Sequence, residues 1–191
     1  MLLAVNPFKW MIPHYADPVV RKYHAGVSDA DAVPHLFQEA EAALRSIHAS
    51  GEPAHFVLAG RSGSGKTETA KFLFHYLAAT SGMDQRVTGA TREGGPQGGR
   101  SLPCLLEPQL EGLCDALGML ESFGNAKTSE NENSSRFGSF AKVFFNGNMI
   151  VDGAHFETLM LETSRCIGPP RPEERNFHAF YQVRRVLLCG L

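Results

Sequence analysis

The chain has little of what would mark it as secreted, membrane-spanning or metal-dependent. Its four cysteines, Cys104, Cys114, Cys166 and Cys189, form no C-x-x-C pair. They read as free, mostly buried thiols of a reducing compartment rather than a disulfide framework or a zinc site. Eight histidines include no H-E-x-x-H arrangement, so metal-dependent hydrolysis of that kind has no support. No apolar stretch approaches the roughly 20 residues of a membrane helix. The start, MLLAVNPFKW, lacks a basic segment and a long apolar core, so it is not expected to be a secretory signal. A formal charge of -2 gives no general attraction to nucleic acid or anionic membranes. The expected address is cytosolic.

What is present suits a globular protein. The 191 residues are 43% hydrophobic and 20% charged, enough to bury a sizeable core. Leu36, Phe37, Ala40, Leu44 and Ile47 recur at helical spacing and predict a helix over roughly 32 to 48, closed by Gly51 and Pro53. HFVLA, 55 to 59, reads as a short strand buried on both faces. The segment beginning at Lys66 places Ala70, Leu73, Phe74, Leu77 and Ala78 on one helical face. Residues 81–103, rich in Gly, predict a flexible loop. A further helix is expected over about 105 to 123. KVFF-NG-NMIV then predicts a β-hairpin with Asn146-Gly147 in a type I′ turn, and HFETLMLE extends that β-rich region. No internal repeat is visible. Strand, glycine loop, helix and later strands together predict an α/β fold, with the strand entering the glycine loop in a parallel sheet.

GRSGSGKT, 60 to 67, fits G-x-x-x-x-G-K-[ST] in full between the apolar run and the amphipathic helix. Phosphate binding calls for this arrangement. Gly63 and Gly65 permit backbone conformations that turn successive N–H groups toward one anion, and the helix N-terminus adds unpaired donors and partial positive charge. Lys66 can reach the β- and γ-phosphates, and the Thr67 hydroxyl can ligate Mg²⁺. The motif alone leaves kinases, GTPases, transporters and motors open.

Several stretches in one order narrow the choice. NPFKWMIPHY at 6 to 15 resembles the purine-binding loop of myosin motor domains, and PHLFQEAEAAL resembles the helix after it. GRSGSGKTETAKFLFHYLA resembles the myosin phosphate loop with its helix. LESFGNAKTSENENSSRFGSF, 120 to 140, resembles switch I (placed at 125–140) with its lead-in. GAHFETLMLETSR and ERNFHAFYQV resemble the segments that follow, the first lying in a β-rich segment at 141–165. The resemblance covers nearly the whole chain except the variable loop at 81–103. It implies the N-terminal part of a myosin head, a P-loop NTPase core with a mixed central sheet, incomplete because no D-x-x-G-F-E switch II segment occurs before Leu191.

The resemblance also implies roles. Asn6, Pro7 and Tyr15 would lie along the adenine of ATP. Gly60, Arg61, Ser62, Gly63, Ser64, Gly65, Lys66 and Thr67 would bind the triphosphate, with Glu68 orienting the loop. Asn125, Lys127 and Thr128 would form one wall of the site. Asn131 would face the phosphates, Ser134 would approach the γ-phosphate and attacking water, and Ser135 would complete the Mg²⁺ shell beside Thr67. Arg136 would pair with a switch II carboxylate, and on this reading the sequence offers it no partner. Lys66, Ser134, Ser135 and Arg136 are the expected catalytic group.

Some positions depart from the family pattern. Arg61 stands for the Glu of GESGAGKT, Ser64 for its Ala, and Ser139 for a Lys common after RFG. The purine loop carries one extra residue between Asn6 and Tyr15, a spacing similar to that of some unconventional classes. The implied function is an ATP-binding piece of an actin-based cytoskeletal motor. Light chains or calmodulin would bind only through a neck outside this sequence, with no nucleic acid or inserted membrane as partner. A non-catalytic product that binds nucleotide weakly, or only makes protein contacts, is the alternative, and a P-loop kinase is disfavoured by the switch I context. A chain of this extent is expected to expose sheet edges and to be poorly soluble.

Overall fold

The computed structural model describes residues 1–9, 11–27, 33–81, 108–168 and 171–188. The variable loop expected at 81–103 lies outside these beyond Ser81, as do Cys104 and Cys189.

A 3₁₀ turn, Ile12–Tyr15, leads into helix α1, Asp17–His24. Pro18 suits the first turn of α1, where its missing N–H is no loss. Asp17 at the start and Arg21, Lys22 and His24 at the end match the helix dipole. Helix α2 spans Leu36–Ser50, starting later than the spacing suggests because His35 caps it. The His35 Nδ1 accepts the Phe37 N–H at 3.0 Å. Gly51, at φ 71°, ends the helix as expected. Phe37, Ala40, Glu41 and Leu44 form its buried face.

Helix α3, Lys66–Thr80, follows the glycine loop, and α4 spans Pro108–Gly124. Leu73 and Tyr76 of α3 join Val20 and Tyr23 of α1 and Phe37, Ala40 and Leu44 of α2 in the main core. Aromatic rings bind this core together. Phe37 stacks on Tyr76 at 4.7 Å, and Tyr15 stacks on Phe72 at 3.8 Å. Another face of α3 is also covered, since Ala78 packs on Ala154 and Phe156, and Phe74 meets Phe156 edge-on. Helix α3 is thus enclosed from several directions, and the single apolar face read from Ala70, Leu73, Phe74, Leu77 and Ala78 splits between two neighbours.

The strands form two small antiparallel sheets. Strand β1, Asn125–Ala126, pairs with β2, Ser134–Ser135, and β3, Gly138–Phe145, pairs with β4, Val151–Leu159. A second 3₁₀ turn, Thr163–Cys166, leads toward helix α5, His178–Leu188. The α/β composition therefore holds, while the described residues contain no parallel ladder.

Three local expectations are corrected. Residues 55–59 form no strand. A strand buried on both faces needs neighbours along its edges, none pairs with it among the described residues, and Val57 is 88% exposed. The hairpin forms where expected, but its turn is not type I′. Asn146 N donates to Ile150 O, Met149 N donates to Asn146 O (both 2.9 Å), and the positive φ falls on Met149, at 55°. The Asn146 side chain dictates this, because its Oδ1 accepts the N–H groups of both Asn148 and Ile150. Finally, Cys166 is a free thiol but exposed.

Candidate functional site

The glycine loop turns over residues 62 to 65, and α3 begins at Lys66. Gly63 and Gly65 adopt φ of 75° and 94°, the left-handed region where a Cβ is strained. At Gly60 the limit is space, since a Cβ there would lie 2.6 Å from Ser64 Oγ. The backbone is therefore bare where an anion would approach, at the N-terminus of a long helix, and the residues present fit a phosphate group. The Lys66 ammonium lies over the loop, donating to the carbonyl oxygens of Gly60 at 2.6 Å and Arg61 at 2.8 Å.

Two distant segments bracket this loop. On one side Asn6 Nδ2 donates to Gly63 O at 3.0 Å, while its Oδ1 accepts the Phe8 N–H at 2.9 Å. On the other side Ser62 and Ser134 join hydroxyl to hydroxyl at 3.1 Å, and Asn131 Nδ2 reaches Ser62 Oγ at 3.4 Å. Asn6, the 60–67 turn and Asn131 with Ser134 thus converge.

The loop from 127 to 136 holds its shape through its own polar groups. Thr128 N and Oγ1 both donate to Asn131 O, and Asn131 N donates to Thr128 Oγ1. Asn125 is buried and donates from Nδ2 to Asn133 Oδ1 at 3.0 Å. His178 Nε2 meets the same oxygen at 3.0 Å, tying the start of α5 to the loop. Lys127 pairs with Glu132 on the surface, at 3.2 Å.

Other expected site residues sit differently. Tyr15 has its ring stacked on Phe72 and edge-on to Phe37, so much of it serves the core. Pro7 is exposed. Glu68 pairs with Lys71 on its own helix at 3.1 Å, and Lys71 also reaches Glu121 of α4 at 2.9 Å. Burial pulls the Lys71 ammonium down, but these two carboxylates outweigh it and raise its pKa. Ser134 is buried while Ser135 beside it is exposed, as the alternation of a strand requires. Among the described residues no hydrogen bond joins Ser135 to Thr67, and no cluster of three or more His, Cys, Asp or Glu side chains could hold a metal ion. A Mg²⁺ ion here would rely on hydroxyl, water and phosphate oxygens, which suits that ion.

Arg136 has a partner of another kind than the switch II carboxylate: it forms an ion pair with Glu162, Nε to Oε2 at 2.5 Å, while Nη1 donates to Ser134 Oγ at 3.2 Å. Glu162 also accepts from Arg165 Nε at 2.9 Å. Arg165, only 2% exposed, donates further to Glu174 and to the Arg175 carbonyl. Arg165, and then Arg136, holds the Glu162 carboxyl below its ordinary range against the opposing effect of burial. A cavity of about 330 Å³ opens beside this network, with Ser62, Thr128, Arg136, Glu162, Arg165 and Glu174 in its wall. Sequence reading missed Glu162, Arg165 and Glu174. The one available signal was the E-x-x-R spacing of Glu162 and Arg165 after a β-rich run.

Residues 1–187 match the family described as Myosin head (motor domain). The chain is 39% identical over 184 residues to Myosin type-2 heavy chain 2 of Schizosaccharomyces pombe, across 96% of this chain and 8% of that protein. It is 37% identical over 190 residues to Myosin-17 of Arabidopsis thaliana, across 100% of this chain and 11% of that protein. With Myosin-52 of Schizosaccharomyces pombe the identity is 33% over 187 residues, across 96% and 11%. The chain spans about a tenth of the length of the curated relatives it matches.

Proposed function

The chain belongs to the myosin head family, and from that premise we propose that it carries the Mg·ATP-binding face of an actin-based cytoskeletal motor. The observation that carries this reading is the bracketing of the 60–67 turn by Asn6 on one side and by Asn131 and Ser134 on the other. A P-loop NTPase core needs such a cradle with a second wall that responds to the γ-phosphate.

In this reading the backbone N–H groups of residues 62 to 67 receive the β- and γ-phosphates at the start of α3. Lys66 leaves the carbonyls of Gly60 and Arg61 for phosphate oxygens, a short movement for a flexible ammonium. Asn6 holds the turn from the nucleoside side, with Pro7 and Tyr15 lying toward the base. Thr67 and Ser135 are the hydroxyls that would ligate Mg²⁺, which when bound neutralises charge on the β- and γ-phosphate oxygens. Asn131 and Ser134 supply dipoles at the γ-phosphate without adding negative charge beside a polyanion, and Arg136 stands behind Ser134. Actin as partner and a cytoskeletal location follow from the family.

A second reading, nucleotide binding without turnover by the 191-residue chain, is favoured by the commitment of Arg136 to Glu162. Isothermal titration of the chain with ATP, with and without Mg²⁺, tests the binding. Weak, Mg²⁺-dependent association that disappears in Lys66→Ala is expected. No binding by a folded chain would refute the site, and steady phosphate release abolished by Lys66→Ala would exclude the second reading.

A further inference from the structure

The ion-pair chain Arg136–Glu162–Arg165–Glu174 has a definite geometry with respect to the loop it touches. The loop's two ends, Lys127 and Arg136, are both fastened to the same later segment. At the Arg136 end, Glu162 N donates to Arg136 O at 3.0 Å while the Glu162 carboxylate takes Arg136 Nε. At the Lys127 end, Arg175 N donates to Lys127 O at 3.1 Å. Arg165 spans the interval from inside, bonding the Glu162 carboxylate, the Glu174 carboxylate and the Arg175 carbonyl at once. Such a buried and nearly saturated guanidinium holds its partners in one arrangement, because moving any of them strands a charge.

We propose that residues 162 to 175 are a clamp on the phosphate-facing loop 127–136, and that Glu162 is the positioning residue that sets Arg136. With Nε taken by Glu162, the guanidinium can turn only by breaking a short charged bond, so its Nη1 stays on Ser134 Oγ. Ser134 is in turn the hydroxyl that meets Ser62 of the glycine loop. The order Glu162, Arg136, Ser134, Ser62 is a continuous path of hydrogen bonds from the clamp to the cradle. Glu162 therefore acts on the nucleotide only through Arg136 and Ser134. Its effect on affinity rests on the phosphate-binding reading above, whereas its effect on the loop does not.

The test compares the full chain with Glu162→Gln, which keeps the shape and removes the charge. Amide hydrogen exchange without nucleotide is read at residues 128 to 135, with the core of α2 and α3 as internal control for folding. Exchange in the loop is expected to rise on the order of tenfold in the variant while the control amides stay within about twofold. Loop exchange that matches the wild type, or a rise spread equally over the control helices, overturns the clamp. Titrations with Mg·ATPγS and Mg·ADP then read the positioning role. The variant is expected to lose about five- to tenfold in affinity for the triphosphate and less than twofold for the diphosphate. Equal losses overturn that role. If the wild-type chain binds neither nucleotide, the phosphate-binding reading fails, and exchange alone decides the clamp.

Discussion

Tyr76 of α3 donates its hydroxyl to the Glu41 carboxylate of α2 at 2.8 Å, inside the seam between the two helices. Glu41 also accepts from Arg45 Nε at 2.8 Å and lies 3.2 Å from His24 Nδ1 of α1. One buried carboxylate thus joins three elements. Burial first, and then the bond to Glu41, raises the Tyr76 phenol well above its ordinary pKa, so it stays a neutral donor.

Tyr76→Phe removes that donor and leaves the Glu41 oxygen short of a partner in a nearly dry place. The stacking on Phe37 survives, so the loss isolates the hydrogen bond. A cost of about 1–3 kcal/mol is expected, read as a lower urea midpoint with unchanged slope. An unchanged midpoint would mean that water or His24, already 3.2 Å from the same oxygen, replaces the phenol without penalty.

Two half-buried imidazoles give stability a dependence on pH. His35 accepts the Phe37 N–H at Nδ1, so its proton is on Nε2, which donates to His14 O at 3.0 Å. Burial lowers its pKa, and burial also lowers that of His75 in spite of Asp17 3.8 Å away. The folded chain therefore prefers both rings neutral, and below about pH 6.5 the unfolded chain binds more protons. This stability is present above the unfolded pKa and is lost as pH falls below it. The carboxylate of Glu162, held down by Arg165 and Arg136, adds a second loss on acidification below its own unfolded value. In thermal melts from pH 8 to 4, His35→Asn, which still caps α2 but cannot titrate, should flatten the slope between pH 7 and 5. A slope equal to the wild type would remove His35 from the account.

Gly124 ends α4 where the chain turns into β1, and its carbonyl accepts Arg136 N–H at 2.9 Å. A Cβ at this position would lie 2.2 Å from Phe137 Cδ1, so the ring closes against bare backbone. Gly124→Ala must displace Phe137, next to Arg136. A loss of about 1–3 kcal/mol is expected from overpacking, with faster exchange in the 128–135 amides. Adding Phe137→Leu should return part of both. If the double variant is worse by the sum of the single changes, the two residues do not share one contact.

Helix spacing made α2 and α3 legible, because their apolar residues recur three and four apart in the sequence. The position of the β3–β4 hairpin was legible for the same local reason. Its turn was not, since the Asn146 side chain competes with the backbone for two N–H groups. Residues 55–59 show the limit of local pattern, for an apolar run becomes a strand only when another segment pairs with it. The glycine turn before α3 was readable because its motif is contiguous. The clamp was not, because Glu162 lies 26 residues from Arg136, and neither residue type nor spacing announces such a pair.

The unpaired run at 55–59 is itself open to test. Phe56 and Val57 are exposed in an apolar run that pairs with no strand among the described residues, a segment open to pairing with another chain. Val57 is the sharper probe, because its side chain contributes little to the fold at 88% exposure. Val57→Lys should leave the melting temperature within about 2 °C, as surface changes do, while a charge on the edge opposes strand addition. Light scattering over a concentration series should show less self-association for the variant than for the wild type. Equal association at equal concentration would place the contact elsewhere, with the exposed face of α5 at Phe180 and Val183 the next surface to test.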